Sequence, residues 1–292
     1  MIRHCTYPAP ALASLVAQFW SITASGGAQL PDYLPGTGAE ILLNLADDTE
    51  LLQTMPDPSG EPVHTRLKAG ESVCICPRTT RLKIRSAGEV RLFSIRFRSA
   101  GFFSLFRIPL HLVCDRVIPT EELGISLPCA LHNDSHILSH NPGHNHSHEM
   151  LAGQLQHWLG TLHRSDVHTT ALSHVVDQLY YCHRTLSVLD IQQATALSER
   201  SFQRHIKQIT GVSAKYFTRT ARFQATLKHL LQSPLSATAY TDTLLTQGYY
   251  DQSHFIRDFR HFTGASPGEY LNSHHKRCNF YLPAGHSNTD EP

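Results

Sequence analysis

The spacing of apolar residues changes character part-way along this 292-residue chain. Before about residue 130 the periods are mostly short. Ala39–Leu45 follows a Pro-Gly-Thr-Gly turn and runs apolar through its middle, which predicts a buried strand. Ser72–Cys76, Leu82–Arg85 and Val90–Phe97 alternate apolar with polar or charged residues, as half-buried strands do. Two segments depart from this pattern. Leu12, Leu15, Val16, Phe19 and Trp20 recur at helical spacing and predict a short helix, and Gly101–Phe106 predicts a helical turn or more. Short strands joined by Gly/Pro turns predict a small β-barrel or sandwich.

After residue 149 the period is helical throughout. Glu149–Leu162 carries Met150, Leu151, Leu155, Trp158, Leu159 and Leu162, and Arg164–His168 is a plausible hinge. Seven helices are then expected: Thr169–His183, Asp190–Ala196, a helix capped by Ser198, Ser213–Leu231, Ser236–Thr246, Asp251–Phe262 and Ser266–Ser273. Ser198 suits an N-cap because its hydroxyl accepts a free backbone N–H. Gly211 and Gly264 suit helix ends because glycine takes the left-handed conformation without steric cost. The fold class expected is α+β, a β-rich N-terminal domain followed by an all-α domain.

One unit occurs twice within the helical part. Gly211-Val-Ser-Ala-Lys-Tyr-Phe217 and Gly264-Ala-Ser-Pro-Gly-Glu-Tyr270 share Gly-x-Ser-x-x-x-aromatic, and each follows a short amphipathic segment. Phe202, Ile206 and Ile209 of the first segment align with Phe255, Phe259 and Phe262 of the second, and Thr210 with Thr263. With Ile191 and Ala194 buried on the preceding helix, the first copy reads as a helix-turn-helix. Its outward face is expected to present Arg200, Gln203, Arg204 and Lys207. The second is expected to present Gln252, Ser253, Ile256, Arg257 and Arg260. Arg and Gln make paired hydrogen bonds to guanine and adenine edges in a major groove, and Lys and Arg reach phosphates. A solvated polar face explains one such helix equally well, but explains two matched copies in a basic region poorly.

Charge sharpens this picture. The chain totals +1, yet residues 184–277 hold twelve Lys/Arg and six Asp/Glu, whereas residues 1–183 hold thirteen and sixteen. A basic C-terminal third is the electrostatic footprint of a nucleic-acid-binding module. The seven cysteines (5, 74, 76, 114, 129, 182 and 278) are scattered and odd in number, which reads as reduced thiols in a cytoplasm. Cys74-Ile-Cys76 could seed a metal or redox site, or be two neighbours on one strand face, the reading preferred here. No apolar run has the length of a membrane span, and the N-terminus lacks the features of a signal peptide.

The stretch 132–148 stands apart, with six of the chain's 21 histidines. On a helix His132, His136 and His140 share one face and form a candidate metal site, with His144, His146 and His148 as further ligands. The alternative, a flexible His-rich linker, suits the Asn-Pro-Gly in its middle. No cofactor is called for, and no catalytic constellation emerges. Glu40, Arg78, Arg96 and Asp115 read as scattered polar residues paired within strands.

The run Gly248–Tyr270 resembles the signature of AraC/XylS-type transcription regulators. The resemblance extends over about residues 170–275, with two helix-turn-helix units joined by a long helix. It implies a monomeric seven-helix domain that sets two recognition helices into successive major grooves on one face of DNA. Arg200, Gln203 and Arg204 would read bases from the first unit, and Gln252, Ser253 and Arg257 from the second. Ala196 stands where the family often has Gly in the first unit's turn. More faintly, Tyr7–Pro10, Phe19–Trp20, Leu34–Gly36, Glu40–Leu45 and Phe93–Phe97 resemble the β-rich sensor region of some such regulators.

The division this implies is 1–130 for effector binding or dimerisation, 131–168 as His-rich segment plus connecting helix, 169–275 for DNA binding, and 276–292 as a flexible tail. The implied function is an effector-responsive transcription activator in the cytoplasm. Its implied partners are double-stranded DNA, a small-molecule effector at the N-terminal domain, RNA polymerase and a second copy of the chain, with no membrane. The other reading, a metal-responsive or metal-storage protein, rests on the His tract.

Overall fold

Two antiparallel sheets, packed face to face, build the N-terminal half. The structure is a computed structural model and describes residues 1–54, 61–128, 144–163, 167–232 and 243–272. The strands are β1 (Ile2–Thr6), β2 (Val16–Ala24), β3 (Glu40–Asn44), β4 (Thr49–Thr54), β5 (Pro62–Leu67), β6 (Ser72–Ile75), β7 (Leu82–Arg85), β8 (Val90–Phe97) and β9 (Val117–Pro119). Six form one sheet in the order β1-β2-β8-β3-β6-β9, and three form the second in the order β5-β4-β7. The sheets do not close on each other, so the sandwich form of the expectation holds.

The larger sheet is buried on both faces, and strand alternation shows how. On one face Phe19, Ile41, Leu43, Cys74, Phe93 and Ile95 pack against helices α1 (Gly101–Phe106) and α2 (His144–Leu162), through Phe102, Leu151, Leu155 and Leu159. On the other face Trp20, Ile22, Leu42, Val73, Ile75 and Leu92 pack against Leu51, Leu67, Leu82 and Ile84 of the smaller sheet. Cys74 and Cys76 belong to the same face, both fully buried. Burial pushes the Cys76 thiol up to about 12 and raises Cys74 as well, so neither is a ready nucleophile.

The helix expected at Leu12–Trp20 is not there. Residues Pro10–Leu12 form a single 3-10 turn, and Val16–Ala24 is a strand paired with both β1 and β8. A strand covered on both faces loses its alternation, and an irregularity between Val16 and Gln18 shifts the phase by one residue. Together these imitate a helical period. The apolar pattern does not mark strands β1, β4, β5 and β9, and β5 is largely exposed.

The second half of the His tract is helical, beginning α2 at His144. His148 is buried, with Nδ1 hydrogen-bonded to the Ser21 hydroxyl at 2.8 Å and Nε2 to the Thr6 hydroxyl at 3.0 Å. Its ring lies 5.2 Å from Phe93 and 5.7 Å from His4. Burial and then the neighbouring His4 lower its pKa from 6.5 to about 4. The unfolded chain therefore binds more protons than the folded one between these values, so stability falls as pH drops from 6.5 toward 4. Unfolding midpoints measured across that range should decline, and His148→Gln should flatten the decline. Equal slopes in both proteins would contradict this placement of His148.

The C-terminal half is helical. Its elements are α3 (Val167–Tyr181), α4 (Val188–Gln193), α5 (Glu199–Thr210), α6 (Ala214–Gln232), helical residues 243–246, α7 (Gln252–Thr263) and α8 (Pro267–Asn272). They bury two separate cores, both built on α6. The first holds Leu172, Val176, Ile191, Phe202, Ile206, Ile209 and Phe217. The second holds Phe223, Leu227, Phe255, Phe259, Phe262 and Tyr270. His132, His136, His140, the expected start of the helix at Ser236 and the tail 276–292 lie outside the described residues.

Candidate nucleic-acid interface

The duplicated unit of the sequence is duplicated in its hydrogen bonds. Ser198 caps α5 by accepting from Ser201 N at 3.3 Å, and Asp251, its counterpart 53 residues on, caps α7 by accepting from His254 N at 2.6 Å. At the far ends the Thr210 hydroxyl donates to Ile206 O and the Thr263 hydroxyl to Phe259 O, each at 2.8 Å. Gly211 and Gly264 then turn left-handed, with φ of 84° and 73°. Ser213 and Ser266 next accept from the backbone N–H three residues on, Tyr216 and Glu269, both at 3.3 Å. The four bonds accepted by Ser198, Asp251, Ser213 and Ser266 each satisfy a first-turn N–H that otherwise lacks a partner.

With caps and core stripes matched, the outer faces match too. Arg200, Arg204 and Lys207 are exposed on α5, with Gln203 half-buried. On α7 Gln252, Ser253, Arg257 and Arg260 are exposed. Arg204 aligns with Arg257 and Lys207 with Arg260, and among the described residues none of these four joins an ion pair. Two positions differ from expectation. Ile256 is half-buried and packs against the second core, because it borders the Phe255–Phe259 stripe. Ala194 is exposed, leaving Ile191 as the buried anchor of α4.

Residues 191–273 match the family model of a helix-turn-helix domain, and residues 4–119 match a domain of unknown function (DUF6597). The chain carries an AraC-type helix-turn-helix domain. It is similar to the transcriptional activator NphR of a Rhodococcus species, 32% identical over 131 residues, which cover 43% of this chain and 37% of that protein. The chain thus spans well under half of that relative. Among solved structures, ToxT from Vibrio cholerae superposes with a TM-score of 0.49 at 13% identity, over 87% of this chain and 97% of that one. A fatty-acid-bound form of ToxT gives 0.48 at 12% identity, covering 87% and 94%.

The two turns of the AraC-type domain are made differently. Gly248 in the second has φ of 83°, whereas its counterpart Thr195 takes no left-handed conformation. The Thr195 hydroxyl instead donates to Gln192 O at 2.7 Å and accepts from Leu197 N at 3.4 Å. Ala196 also avoids positive φ, so the missing glycine creates no strain there.

Sequence reasoning missed a buried carboxylate. Asp258 lies on the inner face of α7 and meets Arg219 at 2.7 Å and Arg222 at 3.5 Å, both on α6. Arg222 also donates to Gly248 O at 3.1 Å and covers the Tyr249 ring at 4.6 Å. The signal was present: a carboxylate set among Phe255, Phe259 and Phe262 needs a partner.

In the N-terminal half Glu40 and Arg96 pair across β3 and β8, at 2.6 Å, and Glu40 also accepts from Trp20 Nε1 and Ser94 Oγ, each at 3.1 Å. These residues were read as scattered, but Glu40, Arg78 and Arg96 converge on one cleft of about 490 Å³ between the halves. Arg3, Arg98 and Lys228 add further positive charge, against Asp32 and Asp177. Asp115 stands elsewhere, bonded to Thr79 and Thr80. Among the described residues no group of three His, Cys, Asp or Glu side chains is placed to hold a metal, and no helix is long and apolar enough to cross a membrane.

Proposed function

We propose that the chain is a sequence-specific DNA-binding transcription regulator, an effector-responsive activator that sets α5 and α7 into successive major grooves. The observation that carries this is the pair of helices capped at equivalent positions that bury equivalent stripes and expose an arginine at the same position, Arg204 and Arg257. In this reading Arg200, Gln203 and Arg204 read bases from the first unit, and Gln252, Ser253 and Arg257 from the second. Lys207 and Arg260 contact phosphates. Because Gln203 and Ile256 differ at equivalent positions, the two halves of the site differ in sequence.

The division of labour follows. Residues 169–275 bind DNA, residues 1–130 bind the effector or a second copy, and RNA polymerase is the partner of the activated complex in the cytoplasm. The interdomain cleft suits a small organic anion as effector, since its arginines and lysine outnumber its carboxylates. Selection of duplexes from a random pool at physiological salt tests the DNA function. It should return two short, dissimilar motifs centred about 10 base pairs apart, one turn of B-form DNA. Recovery of random sequence would contradict it.

A further inference from the structure

The N-terminal half grips both helix-turn-helix units at the same point of the repeat. Gly211 and Gly264 are equivalent, 53 residues apart. A Cβ on Gly211 would lie 3.2 Å from Leu110 O and 3.5 Å from Cys114. A Cβ on Gly264 would lie 2.7 Å from the Arg81 guanidinium, whose Nη1 donates to Thr263 O at 2.8 Å. Tyr216, at the start of α6, donates its hydroxyl to Thr79 O at 3.4 Å.

The two gripping segments, 77–81 and 110–115, are one piece of structure. The Asp115 carboxylate accepts from Thr79 N at 2.6 Å, Thr79 Oγ1 at 2.7 Å, Thr80 N at 3.3 Å and Thr80 Oγ1 at 3.2 Å. Asp115 N donates to Pro77 O at 3.0 Å, and Gln53 of β4 donates to both Asp115 O and Thr80 Oγ1, at 2.8 and 3.1 Å. Asp115 holds φ of 58°, a conformation an L-residue keeps when its surroundings over-determine it. Apart from this brace, the N-terminal half enters each unit's core separately, with Ala100 and Phe103 in the first and Leu34 in the second, and the two cores are strung along α6. One helix carrying two cores leaves their relative rotation softly fixed; a second, rigid attachment to both removes that freedom.

We infer that the Asp115-centred brace sets the relative placement of the two recognition helices, and with it the half-site spacing the chain accepts, with Arg81 and Asp115 as positioning residues. The inference rests on the DNA-binding reading above. The test measures the full chain on duplexes whose two selected motifs are moved apart or together by one or two base pairs. The wild-type chain should lose affinity on the order of ten-fold per step, since protein or DNA must deform to follow. Arg81→Ala and Asp115→Ala should bind the native spacing within about three-fold of wild type and lose only about two-fold per step, since deformation is then shared with a looser protein. Arg81→Lys, which keeps a cation on Thr263 O, should fall between. Arg81 is partly exposed and its loss leaves both cores intact, so that variant decides the matter even where Asp115→Ala unfolds.

Undiminished spacing discrimination in folded Arg81→Ala would overturn the inference. So would a wild-type chain that binds both motifs but ignores their spacing, with the DNA reading intact. A wild-type chain with no paired motifs would overturn both together.

Discussion

Arg204→Ala and Arg257→Ala should each weaken binding to the selected duplex by about 1–3 kcal/mol while changing affinity for random duplex little. Both side chains are exposed at matching positions of capped, firmly anchored helices. Neither is held by an acidic neighbour among the described residues, so truncation removes a potential base contact without breaking the fold. Lys207→Ala and Arg260→Ala give the contrasting pattern: losses nearly equal on selected and random DNA, with the salt slope reduced by about one. Competition binding at several salt concentrations separates the two patterns. Equal losses on both duplexes for Arg204→Ala would move that residue to the phosphate-contacting class.

Asp258→Ala should destabilise the helical half by about 2–4 kcal/mol, somewhat below the value for a fully buried ion pair because its partners retain partial solvent access. The Asp258 side chain is 4% exposed, against 32% for Arg219 and 20% for Arg222. Removing it leaves two guanidinium groups of α6 side by side at the α6–α7 contact, without the carboxylate that both meet. Urea unfolding should register the loss, and hydrogen exchange should localise it to α7 and residues 243–249. Asp258→Asn, which keeps an acceptor for Arg219 Nε, should lose less. A change within about 0.5 kcal/mol, typical of surface substitutions, would show that the pair is ornamental.

What the sequence disclosed followed physical locality. The repeat was readable because its determinants are side-chain types at fixed short offsets: Ser198 or Asp251 before the helix, aromatic or aliphatic residues along it, Thr-Gly at its end. Strand β3 was readable because burial on both faces makes a continuous apolar run. The same double burial hid β2, where a phase shift at residues 16–18 turned the pattern into an apparent helix. Strand β5, mostly exposed, carries almost no apolar signal.

The remaining omissions are long-range. The partners of Asp258 are not legible from its own segment, because the arginines that oppose it are 36 and 39 residues away. Arg81 meets Thr263 across 182 residues, and Asp115 meets Thr79 across 36, distances over which periodicity says nothing. Glu40, Arg78 and Arg96 read as scattered residues paired within strands, because their convergence on one cleft depends on the order of strands in the sheet.

The most direct test of two-helix recognition repeats the oligonucleotide selection with Arg204→Ala and Arg257→Ala in parallel. The account predicts that each variant erases base preference in a different half of the site and leaves the other half as the wild type reads it. Loss of the same positions by both variants, or of none by either, would contradict it.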